Sequence, residues 1–230
     1  MAKPNKDLKL SLISLYENGA YDEAKKSAAQ LLEMYPSDGF GWKLFGAILS
    51  KTSEFNEALS ANEQATVHSP NDPEAHNSLG FTLDQLGRFE LAIRSFEKAI
   101  RLNPKYGEAH YNLANAYFHV GKIEKAEYSY RSAIEIDPAF APAHNNLGNL
   151  LHSIGRYDDA EVSYKNSLSL VPHYAEAHCN LGMTYKAKGL LALAEKCYRE
   201  AINSKPEYAE AYNNLGNVQT KKGDFTEAIK

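Results

Sequence analysis

Residues 175–208 read AEAHCNLGMTYKAKGLLALAEKCYREAINSKPEY, and the punctuation of this stretch decides the fold. Its Pro206 closes a series, Pro36, Pro70, Pro104, Pro138, Pro172 and Pro206, in which each proline follows the last by 34 residues. Gly189 belongs to a second series at the same step, Gly19, Gly87, Gly121, Gly155, Gly189 and Gly223, with Ser53 in the one remaining place. Gly182 belongs to a third, Gly46, Gly80, Gly148, Gly182 and Gly216, where Ala114 stands in once. Ala194 belongs to a fourth, unbroken from Ala24 through Ala58, Ala92, Ala126 and Ala160 to Ala228. Eleven of the 14 glycines fall in two of these series, which random placement would not produce. A fixed period of this length is the signature of a stacked repeat architecture.

Each period reads as two helices. Between Glu108 and Val120, the residues Ala109, Leu113, Ala116, Tyr117 and Val120 form an apolar stripe of helical spacing. Gly121 follows where a helix ends in a left-handed residue, a conformation that glycine takes without steric cost. A second stripe runs from Ile123 to Ile136 through Ala126, Tyr130, Ala133 and Ile134, and Asp137-Pro138 stops it because proline cannot continue a helix. No segment alternates apolar and polar residues between hairpin turns, so the sequence predicts no strands. Small residues on both helices predict close backbone approach, and a bulky side chain there would overpack the contact by about 1–3 kcal/mol.

The positions His178, Leu181, Gly182, Tyr185, Gly189, Ala194, Tyr198, Ala201 and Pro206 resemble the tetratricopeptide repeat, and the resemblance extends over nearly the whole chain. It implies an all-α, right-handed superhelical solenoid of helical hairpins forming a single domain over residues 1–230. Repeat starts at Asn5, Gly39, Pro73, Gly107, Ala141, Ala175 and Ala209 divide it into units 5–38, 39–72, 73–106, 107–140, 141–174 and 175–208, with a partial seventh at 209–230. The first unit is degenerate, carrying Ser11 and Leu12 where later ones carry Leu and Gly. Solenoids need a polar terminal cap, so an end inside the seventh unit is read as truncation of a longer protein, or as an uncapped repeat open to self-association.

Composition narrows the function classes. The chain of 230 residues has 25 Lys+Arg against 29 Asp+Glu, a net charge of −4, which disfavours nucleic-acid binding. Two cysteines exclude a disulfide framework and favour a reducing, cytoplasmic setting. Apolar runs such as Leu44–Leu49 fall far short of the 18 or so residues of a membrane span, and Met1–Leu10 lacks a leader's apolar region. No membrane association, metal or cofactor is expected.

Four histidines, His76, His110, His144 and His178, recur at one repeat position, and Trp42 and Tyr212 occupy it in the flanking units. Packed helices lie about 8–10 Å apart, too far for successive histidines to share a zinc ion, so packing is the expected role. Cys179 and Cys197 lack metal or redox spacing, and no nucleotide-binding glycine motif or catalytic constellation is present. The segment is not expected to be an enzyme by itself.

Asparagine carries the functional signal. Asn112, Asn146, Asn180 and Asn214 recur every 34 residues on predicted first helices, and Asn115, Asn149 and Asn217 lie three residues later on the same face. Asparagine is a poor helix-interior residue, and nothing in the packing pattern calls for it. A column of amides can donate to and accept from the backbone of an extended peptide. In the family the first helices line a concave groove, so the resemblance places these amides there with Tyr111 and Phe118 and implies proteins or peptides as partners. Ala47, Tyr111 and Asn115 depart from the two-carboxylate clamp of chaperone-binding relatives, which disfavours that ligand. The unit Ala-His-Asn-Asn-Leu-Gly-Asn, residues 143–149, resembles the repeat region of O-linked N-acetylglucosamine transferases. That resemblance implies an alternative: the substrate-recognition arm of a larger glycosyltransferase whose catalytic domain lies outside this sequence.

Overall fold

The structure, a computed structural model, describes residues 6–223, so the expectations about the end of the seventh unit, including Ala228, lie outside the described residues. Helices alternate in the predicted way. The first helices are α1 Lys6–Glu17, α3 Gly39–Lys51, α5 Pro73–Gln85, α7 Gly107–His119, α9 Ala141–Ser153, α11 Ala175–Ala187 and α13 Ala209–Lys222. The second helices are α2 Tyr21–Met34, α4 Phe55–His68, α6 Phe89–Leu102, α8 Ile123–Ile136, α10 Tyr157–Leu170 and α12 Leu191–Ser204. No strand occurs among the described residues, and the fold is an all-α helical repeat. The chain forms two compact units, Met1–Lys122 with α1–α7 and Ile123–Lys230 with α8–α13. Within each, every helix packs on its chain neighbour and the first helices of successive hairpins also touch.

The 34-residue punctuation has visible causes. Gly155 has φ +78°, and Arg156 N donates to Leu151 O at 2.9 Å, the six-to-one bond that closes a helix through a left-handed residue. The other glycines of that series share this backbone, and Ser53, their substitute, also has φ +62°. The alanines of the unbroken series from Ala24 to Ala194 are all wholly buried. At Gly148 and Gly182 the aromatic ring of the second helix packs closely against the first: a Cβ there would sit 2.6 Å from Tyr164 and Tyr198, respectively. Gly80 meets Phe96 in the same way. At Gly46 the ring is replaced by Asn62, whose Nδ2 donates to Thr82 Oγ1 at 2.9 Å while its Oδ1 is buried without a partner among the described residues.

The histidine series acts in packing. Nε2 of His76, His110, His144 and His178 lies 2.9–3.1 Å from the carbonyl oxygen of Pro70, Pro104, Pro138 and Pro172, six residues earlier. A carbonyl can only accept, so each ring donates from Nε2. Trp42 Nε1 donates to Pro36 O at 2.7 Å in the same slot. In these five units the slot therefore holds a ring N–H that fastens the turn between hairpins to the following first helix, whereas Tyr212 has none to offer.

Candidate functional site

The first-helix face is where the predicted residues stand. Asn112, Asn115, Tyr111 and Phe118 lie on α7 in the first unit; Asn146 and Asn149 on α9, Asn180 on α11, and Asn214 and Asn217 on α13 in the second. All are partly buried except Asn217, which is exposed.

Their amides have neighbours that the sequence reading missed. Asn112 Nδ2 donates to Oδ1 of Asn77, and Asn180 Nδ2 to Oδ1 of Asn145, both at 3.1 Å and both 35 residues back. Asn145 Nδ2 in turn donates to Asn146 Oδ1 at 3.1 Å. Asn214 Nδ2 faces Cys179 Sγ at 3.9 Å in the same register. Asn149 Oδ1 accepts from the Tyr164 hydroxyl at 2.8 Å. This corrects the expectation that packing has no use for these residues: several amides join one first helix to the next, or first helix to second. An amide NH2 has two hydrogens and its oxygen two lone pairs, so a single lateral bond leaves Asn112 and Asn180 with capacity to spare. Asn77 and Asn145 could have been found only by searching for a polar partner at a step of 35 rather than 34.

In the first unit this face encloses a cavity of about 460 Å³ lined by Tyr16, Ala47, Ser50, Lys51, Asn77, Ser78, Phe81 and Glu108. Phe81 is 39% exposed there, and it occupies the repeat position of Asn115 and Asn149. At the start of α5, Lys43 Nζ bridges Asp72 at 2.8 Å and Glu74 at 2.6 Å, so its charge is consumed within the protein. Asn77, 4% exposed, donates to the Tyr106 hydroxyl and to Glu108 Oε1, both at 3.3 Å. Burial pushes the Tyr106 phenol upward, and Glu108, Glu74 and Asp72 push it further, marking a negative local field. Burial likewise raises the Asp84 carboxyl, against the opposing influence of His119.

In the second unit a cavity of about 430 Å³ lies over α8, α9 and α10, lined among others by Arg131, His144, Asp159, Val162 and Asn166, with none of the predicted binding residues. Glu161 receives hydrogen bonds from Lys165 and Lys188, which pull its carboxyl down to about 2. Cys179 and Cys197 are free, buried thiols, the latter pushed up to about 11 by burial. No group of three or more His, Cys, Asp or Glu able to hold a metal ion occurs among the described residues, and none of their helices is long and apolar enough to cross a membrane.

Fold and site define a helical-hairpin repeat protein with a polar first-helix face. Sequence profiles of the tetratricopeptide repeat match residues 82–141, 129–162, 148–189 and 184–223, together more than half of the chain. The chain belongs to the tetratricopeptide repeat family. No curated protein matches it. Among solved structures, a chain of the APC/C hetero-tetramer Cut9-Hcn1 superposes with a TM-score of 0.82 at 20% identity over 92% of this chain, which spans only 42% of that one. Pseudomonas aeruginosa pilF gives 0.79 at 16% identity, covering 94% of this chain and 96% of pilF. YrrB, described as a tetratricopeptide repeat protein with an unusual peptide-binding site, gives 0.63 at 22% identity, covering 81% and 96%. At these identities the likeness establishes the fold alone.

Proposed function

We propose that the protein is an interaction scaffold, without catalysis of its own, that binds extended peptide segments of partner proteins along its first-helix face. The ladder Asn112, Asn115, Asn146, Asn149, Asn180, Asn214 and Asn217 supplies hydrogen bonds to the peptide backbone, with Tyr111 and Phe118 adding apolar contact. The observation that carries this reading is the spare capacity of two members of the ladder: the lateral bonds of Asn112 and Asn180 each use one amide hydrogen. The peptide-binding site described for YrrB, a protein of the same fold, favours the same class of ligand. The free thiols Cys179 and Cys197 favour a reducing, cytoplasmic setting. The test is affinity for a peptide panel after changing Asn146, Asn180 and Asn214 together to alanine, with helicity followed by circular dichroism. Weaker binding at unchanged helicity supports the reading, and unchanged affinity across the panel overturns it. The motif of residues 143–149 favours one further possibility, that this scaffold is the substrate-selecting arm of a glycosyltransferase; glycosyl transfer by the product of the complete gene tests it.

A further inference from the structure

Resting on the groove reading above, we propose that the cavity of the first unit selects segments in which an apolar side chain is flanked by lysine or arginine. Phe81 is the large apolar surface left open in this cavity, and Tyr16 lines it too. Glu108 lines the same cavity and has no cationic partner among the described residues, its Oε1 accepting only from the neutral amide of Asn77 at 3.3 Å. Nearby, Asp72 and Glu74 share the single lysine Lys43, so that pair of carboxylates retains one net negative charge. The Tyr106 phenol, raised by burial and by these three carboxylates together, reports the same field. A basic side chain placed at Glu108 would satisfy that charge while its aliphatic stem lay along the Phe81 surface. Lys51, at the C-terminus of α3, lines the cavity without a carboxylate partner among the described residues. It disfavours a second basic group at that end, so the preference has a direction.

The experiment is an immobilised array of nine-residue peptides in a Gly/Ser background, with two adjacent central positions varied over all residue pairs and probed with the full chain. Pairs of Lys or Arg with Leu, Ile or Phe are expected to bind best. Glu108→Gln keeps an oxygen able to accept from Asn77 and should reduce the preference for a basic residue about two- to fivefold, the range of an exposed ion pair. That preference should also shrink at high salt in the unaltered protein. Phe81→Ala, with circular dichroism as a folding control, should reduce the apolar preference about tenfold; Phe81→Leu should retain most of it. Binding that ignores charge, or a basic preference unmoved by both Glu108→Gln and salt, overturns this proposal while leaving the groove reading intact. Failure of every peptide to bind overturns both.

Discussion

Tyr164 and Tyr198 occupy the same place in successive repeats, yet removing their hydroxyls should have opposite effects. Both rings are buried, Tyr198 to 0% exposure, and each lies against a glycine of the preceding helix. The Tyr164 hydroxyl donates to Asn149 Oδ1 at 2.8 Å, and Thr184 lies close enough to favour its charged form against burial. The corresponding residues for Tyr198 are Met183 and Val218, and its hydroxyl is buried without a partner among the described residues. Phe96, at the same place in an earlier repeat, corresponds to Phe81 and Ala116 and carries no hydroxyl at all. A buried hydroxyl without a partner costs about 1–3 kcal/mol, whereas a satisfied one contributes about 0.5–1.5 kcal/mol net. Loss of a single oxygen leaves a void smaller than a methylene, which returns part of the gain. Tyr198→Phe should therefore stabilise the protein by about 0.5–2 kcal/mol, and Tyr164→Phe should destabilise it by about 1 kcal/mol. Met183→Asn should recover a hydrogen bond only while Tyr198 is present, giving a coupling of about 1 kcal/mol in a double-mutant cycle. Urea unfolding followed by circular dichroism measures these differences, analysed by a nearest-neighbour treatment because repeat arrays need not unfold in one step. Equal destabilisation by the two Phe substitutions would refute the reasoning.

Three further outcomes follow from the same geometry. Gly182→Ala places a Cβ 2.6 Å from the Tyr198 ring, so thermal unfolding should show a loss of about 1–3 kcal/mol. Ser53→Gly removes a left-handed non-glycine residue and should raise stability by about 0.5–1 kcal/mol, less the added entropy of the unfolded chain; a loss on thermal unfolding contradicts this. Glu161 has its folded pKa lowered to about 2 from an ordinary 4.5, so its contribution is present above about 4.5 and disappears as pH falls towards 2. Denaturation midpoints across that window should fall less steeply for Glu161→Gln than for the unaltered protein.

Much of the fold is legible without coordinates because the information is local or repeats in phase. The glycine after each first helix declares a left-handed backbone, and Ser53 keeps the same φ despite its side chain. Glycine two turns into a first helix, as at Gly148, declares close approach of the second helix, since only a missing Cβ admits the Tyr164 ring at that distance. The histidine series is legible as packing, but its bond to the proline carbonyl is not, because a periodic ring could be buried for bulk alone. The candidate site is less legible. Periodicity finds Asn112 and Asn180, but their acceptors Asn77 and Asn145 break the 34-residue step by one, a register that depends on how successive first helices lie side by side.

The sequence by itself determined the period, the alternation of helices, their stops and the close approach of first helix to second. These follow from backbone conformations and side-chain volumes that a residue carries with it. Only the tertiary structure decided which side chains meet across repeats: amide with amide at 35 residues, Lys43 with Asp72 at 29, and Tyr164 satisfied where Tyr198 is not. Those pairings depend on the offset between stacked helices, and one residue's chemistry does not encode where its neighbour's will arrive.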